Sequence, residues 1–273
     1  MRKEIRTVKY DTDLKVEAYL FQGVMQKFPN NFHEYYVIGF IEGGRRHLSS
    51  KNKEYTVEAG DLLLFNPYDN HACEQIDGRA LDYRCINIQS AVMGKAVTEI
   101  TGRDQMPSFS LQVIKQSELV FLLKELHLMI MEGDTGFRKE EIFFFLLQQL
   151  LEEYTEEVLF AQREQRAEVQ LICEYLEENY MHNIKLDDLS VLTGLSKYYL
   201  LRFFTKEKGI SPYSYLETIR IDRAKKLLEQ GVAPIDAALQ TGFVDQSHFS
   251  NFFKKFIGLT PKQYMNIFND THN

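Results

Sequence analysis

The chain has 273 residues, 44% of them hydrophobic and 26% charged, values ordinary for a soluble globular protein long enough for two domains. Its net charge of -7 excludes a uniformly basic surface; no apolar run approaches a membrane span, and no hydrophobic segment follows the opening Met1-Arg2-Lys3-Glu4-Ile5-Arg6, so neither a signal peptide nor a membrane anchor is expected and the protein is read as cytoplasmic. Its three cysteines, Cys73, Cys85 and Cys173, show no C-x-x-C spacing, which excludes a disulfide framework or a zinc ribbon.

Residues 1 to about 90 read as strands separated by turns. Lys15 to Leu20 alternates apolar and polar residues, Tyr55-Thr56-Val57 and Leu62 to Phe65 are short β-type runs, and Leu81 to Ile88 is another. Glu42-Gly43-Gly44 and Lys51-Asn52-Lys53 are turn-like. Many short strands without a helical period predict a small sandwich or barrel. The β pattern ends around Gly102 to Pro107, and two helical patterns follow. Ser117 to Met131 carries Leu119, Leu122, Leu123, Leu126 and Ile130, and Arg138 to about Phe160 carries Ile142, Phe145, Leu146 and Leu150. The default reading packs this pair on the outside of the barrel. The polar stretch Glu156 to Glu168 reads as a linker, and Val169, Ile172, Leu176 and Tyr180 mark the first helix beyond it. The boundaries drawn are 1–105, 106–160, 161–167 and 168–273.

The last part of the chain contains one arrangement twice. Leu186 to Thr193 is a short helix with Asp187 and Asp188 in its first turn, where carboxylates offset the helix dipole, and Gly194 stops it. Ser196 then caps a helix running to about Lys208 before Gly209, with Leu200, Phe203 and Phe204 on one face and Tyr198, Arg202, Thr205 and Lys206 on the other. About 48 residues on, Pro234 opens a second short helix ending at Gly242-Phe243. Asp245 caps a helix with the apolar stripe Phe249, Phe252, Phe253 and Phe256, leaving Ser247, Ser250, Asn251 and Lys254 outward and Gln246 and His248 on the flanks. Between the copies, Ser211-Pro212 and Gly231 bracket a single helix of roughly 27 Å, long enough to hold two recognition helices about one DNA turn apart. From Lys197 to Lys262 eleven basic residues, Arg220 among them, face six acidic ones, an excess of about five that supports phosphate contacts.

Gly209-Ile210-Ser211-Pro212-Tyr213, Arg220-Ile221-Asp222-Arg223-Ala224, Thr241-Gly242-Phe243 and Gly258-Leu259-Thr260-Pro261 in this order resemble the AraC/XylS family of bacterial transcription regulators, over about the last 100 residues. Phe32 to Gly43, then Ala59-Gly60-Asp61 to Pro67 and His71, are similar to the cupin jelly roll that forms the effector-binding domain of many such regulators. The implied fold is α+β and multidomain: a cupin-like barrel with a helix pair, then an all-α domain with two helix-turn-helix motifs on a long connecting helix. The resemblance implies that the helix pair dimerises the protein. It also implies that Lys197, Tyr198, Tyr199, Arg202 and Lys206 of the first copy, and Gln246, Ser247, His248, Ser250, Asn251, Lys254 and Lys255 of the second, meet DNA. Arg202 suits guanine, Gln246 or Asn251 suits adenine, and Lys254 and Lys255 suit phosphates. Leu201 offers a thymine methyl contact or none, and Tyr199 and His248 lie nearer the packing boundary.

In the barrel, His33 and His71 occupy two metal positions of the cupin pattern, but Tyr35 stands where a second histidine would. A ring of His33, Tyr35, Glu42, His71 and Arg84 suits a small polar or charged ligand better than a metal. Each of these residues also has a plain structural reading, as a hydrogen-bonded, core or turn residue. The expected function is therefore a transcription regulator, more often an activator, that binds promoter DNA as a homodimer, works with RNA polymerase and responds to a small-molecule effector. No catalytic residue and no cofactor is assigned. The alternatives are a metal-dependent cupin enzyme fused to a DNA-binding module and an effectorless regulator with a scaffold barrel.

Overall fold

A computed structural model describes residues 3–51, 53–155 and 166–269. The chain divides into two compact units, Met1–Gln162 and Arg163–Asn273. Residues 161–165 of the expected linker, and the end of the second expected helix from 156 to 160, lie outside the described residues.

In the first unit, β1 (Ile5–Asp11), β2 (Val16–Val24), β3 (Phe28–Asn31), β4 (Tyr35–Gly43), β5 (Arg45–Ser50), β6 (Lys53–Glu58), β7 (Leu62–Phe65), β8 (His71–Gln75) and β9 (Leu81–Gln89) precede α1 (Ser90–Thr101) and the short β10 (Val113–Ile114). They form a six-stranded sheet, β1-β2-β9-β4-β7-β10, and a four-stranded sheet, β3-β8-β5-β6, with antiparallel pairing throughout. Strand alternation sorts the side chains. Val37, Ile41, Leu63, Phe65 and Cys85 of the larger sheet meet Leu48 and Val57 of the smaller one in a shared interior. The opposite face of the larger sheet is buried as well: Tyr36, Ile38 and Phe40 on β4 and Ile86 and Ile88 on β9 are excluded from water. A sheet apolar on both faces needs a second cover, and helices supply it. Besides α1 these are α2 (Leu119–Glu132), which packs on β1, β2 and β9, and α3 (Phe137–Tyr154), which packs on α1 and α2.

The helix pair thus covers the outer wall of the barrel, as expected. Helix α1 is not among the elements expected from sequence, because β9 runs into it without a glycine or proline. Its signal was the helical spacing of Met93, Ala96, Val97 and Ile100, all buried.

Histidine 127 ties α2 to this wall. It is fully buried, and its Nε2 donates to the carbonyl of Tyr19 at 2.9 Å. Burial pushes its pKa down to about 4, with Arg84 adding to the shift and Glu42 opposing it. The unfolded chain therefore binds the extra proton first, and stability falls as the pH drops from the ordinary value of 6.5 toward 4. The expected slope reaches about 1.4 kcal/mol per pH unit for such a group. Thermal melts between pH 7 and 4.5 should show a shallower decline in His127→Gln than in the parent, whose slope also includes His33 and His71; identical slopes would remove His127 from this account.

The second unit is helical: α4 (Arg166–Asn179), α5 (Leu186–Thr193), α6 (Lys197–Lys208), α7 (Pro212–Glu229), α8 (Pro234–Gln240), α9 (Gln246–Ile257) and α10 (Pro261–Asn269). The expected caps form. The Ser196, Ser211 and Asp245 side chains accept from the backbone N–H groups of Tyr199 at 3.3 Å, Ser214 at 3.2 Å and His248 at 2.7 Å. The final helix was not anticipated, although Thr260 and Gln263 form a reciprocal capping box ahead of it, at 2.9 and 3.3 Å. The second helix-turn-helix packs Phe243, Phe249, Phe252 and Phe253 onto Ile221, Ala224 and Leu228 of α7.

Arg220, counted above among the basic residues available to phosphates, is a buried residue of α7. Its Nε donates to the carbonyl of Tyr180 at 2.8 Å and its Nη2 to that of His182 at 2.9 Å, and its guanidinium lies 5.9 Å from the Phe243 ring centre. Gly242 completes this junction: at φ +82° it has the left-handed backbone that favours glycine, and a Cβ there would lie 2.7 Å from the Tyr180 carbonyl oxygen. The loop entering the first helix-turn-helix and the turn of the second are held against each other at one point.

Candidate functional site

The interior of the barrel is not filled. A cavity of about 210 Å³ lies between the two sheets, lined from both. Three of the five expected ring residues face it, His33, Tyr35 and His71. His33 precedes β4 and stacks on Tyr35 with ring centres 4.9 Å apart and planes 9° apart, and it lies 5.1 Å from the His71 ring. His71 in turn stacks on Phe65 at 4.2 Å. The Nδ1 of His71 donates to the carbonyl of Asp69 at 3.1 Å, which makes Nε2 the acceptor of the neutral ring. Burial lowers the pKa of both histidines. Among the described residues no three His, Cys, Asp or Glu side chains gather in a group that would hold a metal ion.

Glu42 and Arg84 do not belong to this ring. Tyr35 and Glu42 are seven residues apart on β4, and an odd separation places side chains on opposite faces of a strand; the same alternation along β9 turns Arg84 away from its neighbours Tyr83 and Cys85, which line the cavity. On the outer face Arg84 Nε donates to Glu42 Oε2 at 2.8 Å, and Lys124 of α2 reaches Glu42 Oε1 at 2.7 Å. Burial raises the Glu42 pKa, but the bonds from Arg84 and Lys124 outweigh it and the net shift is downward.

The residues that take their place are Tyr19, Tyr83, Cys73, Cys85 and Asn87. The signal was available in the parity of Leu81, Tyr83, Cys85 and Asn87. Tyr83 lies across Gly39, where a Cβ would sit 2.2 Å from the phenol oxygen, so only glycine leaves room for it. Burial pushes the Cys73 thiol up to about 11, the Cys85 thiol to about 12 and the Tyr19 phenol to about 12.

The second surface is built on α6 and α9. On α9, Gln246, Ser247, His248, Asn251, Lys254 and Lys255 are exposed and Ser250 is half-buried. Phe256 departs from the expected stripe: it is 46% exposed and stacks on Phe252 at 4.9 Å, because the last turn runs past the core. On α6 the buried stripe is Tyr198, Leu200, Leu201 and Phe204. Its steps of three from 198 through 201 to 204 turn the helix relative to the expected face. Tyr198, at 0% exposure, is core and not an outward residue, and Leu201 is core with it. Phe203, expected inside, is half-buried and stacks on Tyr199 at 5.9 Å, and the Thr205 hydroxyl, expected outside, is buried. Lys206 is exposed and Arg202 half-buried, while Lys197 reaches Asp187 in the first turn of α5 at 3.0 Å.

Comparison with known proteins agrees with this division. A family model described as an AraC-like ligand binding domain matches residues 14–154, and one described as a helix-turn-helix domain matches residues 189–267. The chain is 58% identical over 249 residues to the uncharacterized HTH-type transcriptional regulator YbfI of Bacillus subtilis strain 168, covering 91% of this chain and 90% of that protein. It is 23% identical to the HTH-type transcriptional activator RhaS of Klebsiella pneumoniae strain 342, over 86% of each. Among solved structures, ToxT of Vibrio cholerae O395 is 16% identical over 97% of this chain and 96% of that one, at a TM-score of 0.35.

Proposed function

This chain belongs to the AraC family of transcription regulators, with an AraC-like ligand-binding domain and a helix-turn-helix DNA-binding domain, and from that premise we propose that it binds promoter DNA as a homodimer, activates transcription with RNA polymerase, and is switched by a small molecule in its barrel. The observation that carries the DNA-reading part is the 18-residue helix α7, which spans about 27 Å and joins two capped recognition helices. Two successive major grooves on one face of a duplex are roughly 34 Å apart. Tyr199, Arg202 and Lys206 on α6, with Lys197 at its start, and Gln246, Ser247, His248, Ser250, Asn251, Lys254 and Lys255 on α9 are the contacts in this reading.

The cavity favours a sensing barrel over a mere scaffold, and the construction of its wall supplies a route outward. Tyr19 faces the cavity with its side chain and holds His127 of α2 with its carbonyl. Arg84, between two cavity residues, joins Glu42 and through it Lys124 of α2. On its outer side α2 exposes Phe121, at 76%, and Leu128, which suits a helix that meets a second copy. An effector switches the protein only if it binds one arrangement of this wall more tightly than the other.

Selection of bound DNA from a random library at two salt concentrations tests the reading. One enriched site with two sequence blocks about one helical turn apart is expected; enrichment of a single block would mean that α9 does not read bases. On the selected site, Arg202→Ala should cost about 1 to 3 kcal/mol and relax preference at one base position, whereas Lys255→Ala should weaken all sequences alike and reduce the salt slope by about one. Equal effects of both variants on every sequence would overturn these assignments.

A further inference from the structure

The barrel cavity holds no charged side chain: none of the residues lining it is Lys, Arg, Asp or Glu. Its phenols and thiols stay protonated and its two histidines are pushed toward their neutral form. Two charged groups adjoin lining residues without lining the cavity themselves. Glu17 accepts the Tyr19 hydroxyl at 3.0 Å, and the buried guanidinium of Arg46 donates to the carbonyls of Val24, Arg45 and Arg79 at 2.7 to 2.9 Å. Neither group lines the cavity, so an ion inside it would meet no charged partner on the wall, and burying an ion unpaired is strongly unfavourable. The walls are flat as well as neutral. Phe21, Tyr35 and Tyr83 present rings, and Phe21 and Tyr83 stack at 6.3 Å with planes 27° apart. The volume, about 210 Å³, compares with about 150 Å³ for a cavity that takes benzene. It therefore admits one ring with one or two small substituents and is too small for most drug-sized ligands. Finally, His71 Nε2 is an acceptor with no partner among the described residues, on the part of the cavity wall where β3 pairs the exposed Asn31 opposite His71.

We propose that the effector is a small, uncharged, planar ring compound carrying a hydroxyl or N–H group that donates to His71 Nε2. This rests on the reading of the barrel as the effector site. It also replaces the charged ring expected from sequence, since alternation puts both of its charged members on the other face.

Calorimetric titration of the full chain at pH 7 with probes that share one ring and one methyl group tests the charge directly: p-cresol is neutral, 4-methylbenzoate anionic and 4-methylbenzylamine cationic. D-Glucose and decanoate are added as a polyol and a long-chain acid. The expected result is saturable, one-to-one binding of p-cresol, at least tenfold tighter than either charged analogue and than glucose or decanoate. In His71→Phe, which keeps a ring against Phe65 but removes the acceptor, p-cresol should weaken about tenfold while toluene, which donates nothing, should not. Preference for an ion, the sugar or the fatty acid would overturn the ligand class and leave the sensing barrel standing. Uptake of none of the probes would overturn both, and equal loss of p-cresol and toluene in His71→Phe would overturn the role of Nε2.

Discussion

Arg220→Ala is expected to destabilise the DNA-binding unit by about 2 to 4 kcal/mol and to weaken binding to a two-block site by more than tenfold. The side chain is buried, donates to two carbonyls from the loop between α4 and α5, and lies against Phe243 in the turn of the second helix-turn-helix. Its loss leaves two acceptors short of a charged donor and opens a void beside an aromatic ring. Hydrogen bonds to charged groups contribute roughly 1.5 to 3 kcal/mol each, and the half-exposed setting of the loop lowers that figure here. Arg220→Lys should recover only part of the loss, because a lysine cannot reproduce the planar fork or the stacking. The DNA result follows from geometry: two recognition helices whose relative placement is loosened must be ordered again on binding, so the two-block site should suffer more than either block alone. Urea unfolding of the full chain, followed as two transitions if the units unfold separately, together with titration of one-block and two-block duplexes, measures both effects. An unchanged transition and an equal loss on both duplexes would reduce Arg220 to an ordinary phosphate contact.

Arg220 also shows where sequence reading stops. Helix ends are announced locally, by Ser196, Ser211-Pro212 and Asp245 at their starts, and each of these caps forms. The identity of a basic residue on a helix says nothing of what packs over it. Only the return of the α4–α5 loop onto α7 turns Arg220 from a surface charge into a buried clamp. Tyr198 is the converse case. A polar-tipped ring reads as outward by type, yet steps of three along α6 carry it into the core with Leu201 and Phe204.

The barrel divides along the same line. Strong alternation makes the strands legible, but chemical character alone groups His33, Tyr35, Glu42, His71 and Arg84, whereas the fold sorts them by face. Counting parity from Tyr35 keeps Val37 and Ile41 inside, while Glu42, at a register shift, is placed outside by its bonds to Arg84 and Lys124. Placing Arg84 required the pairing of β4 with β9, which sets Phe40 opposite Arg84 and shifts register between Ile41 and Gly43. The charged residues expected to hold a ligand instead fasten the cavity wall to α2, through Glu42, Arg84 and Lys124.

Lys139→Met is expected to cost about 3 to 5 kcal/mol, the range for removing one partner of a buried ion pair. The lysine is 2% exposed on α3, inside the first unit. Its Nζ bonds Asp11 at the end of β1, Asp13 at 3.1 Å and the carbonyl of Asp134 at 2.6 Å. Asp11 is buried too, and its other oxygen accepts from the backbone N–H groups of Asp13 at 3.1 Å and Leu14 at 2.8 Å. The β1–β2 turn and the start of α3 are thus joined through one ammonium group, and without it a carboxylate is left buried and unpaired. Because the penalty lies in that stranded charge, Asp11→Asn combined with Lys139→Met should recover a large part of it, beyond the sum of the single effects. Burial opposes the charged lysine, but its bonds to Asp11 and Asp13 outweigh burial and raise its pKa above the ordinary 10.5. A raised value in the folded state means that the contribution is complete throughout neutral pH and is lost only as the pH climbs past the pKa of the folded lysine. Denaturant unfolding of the two single variants and the double variant at pH 7 checks the argument: strict additivity would show that the pair is not coupled, and a loss below about 1 kcal/mol in Lys139→Met would place its value with that of a surface ion pair.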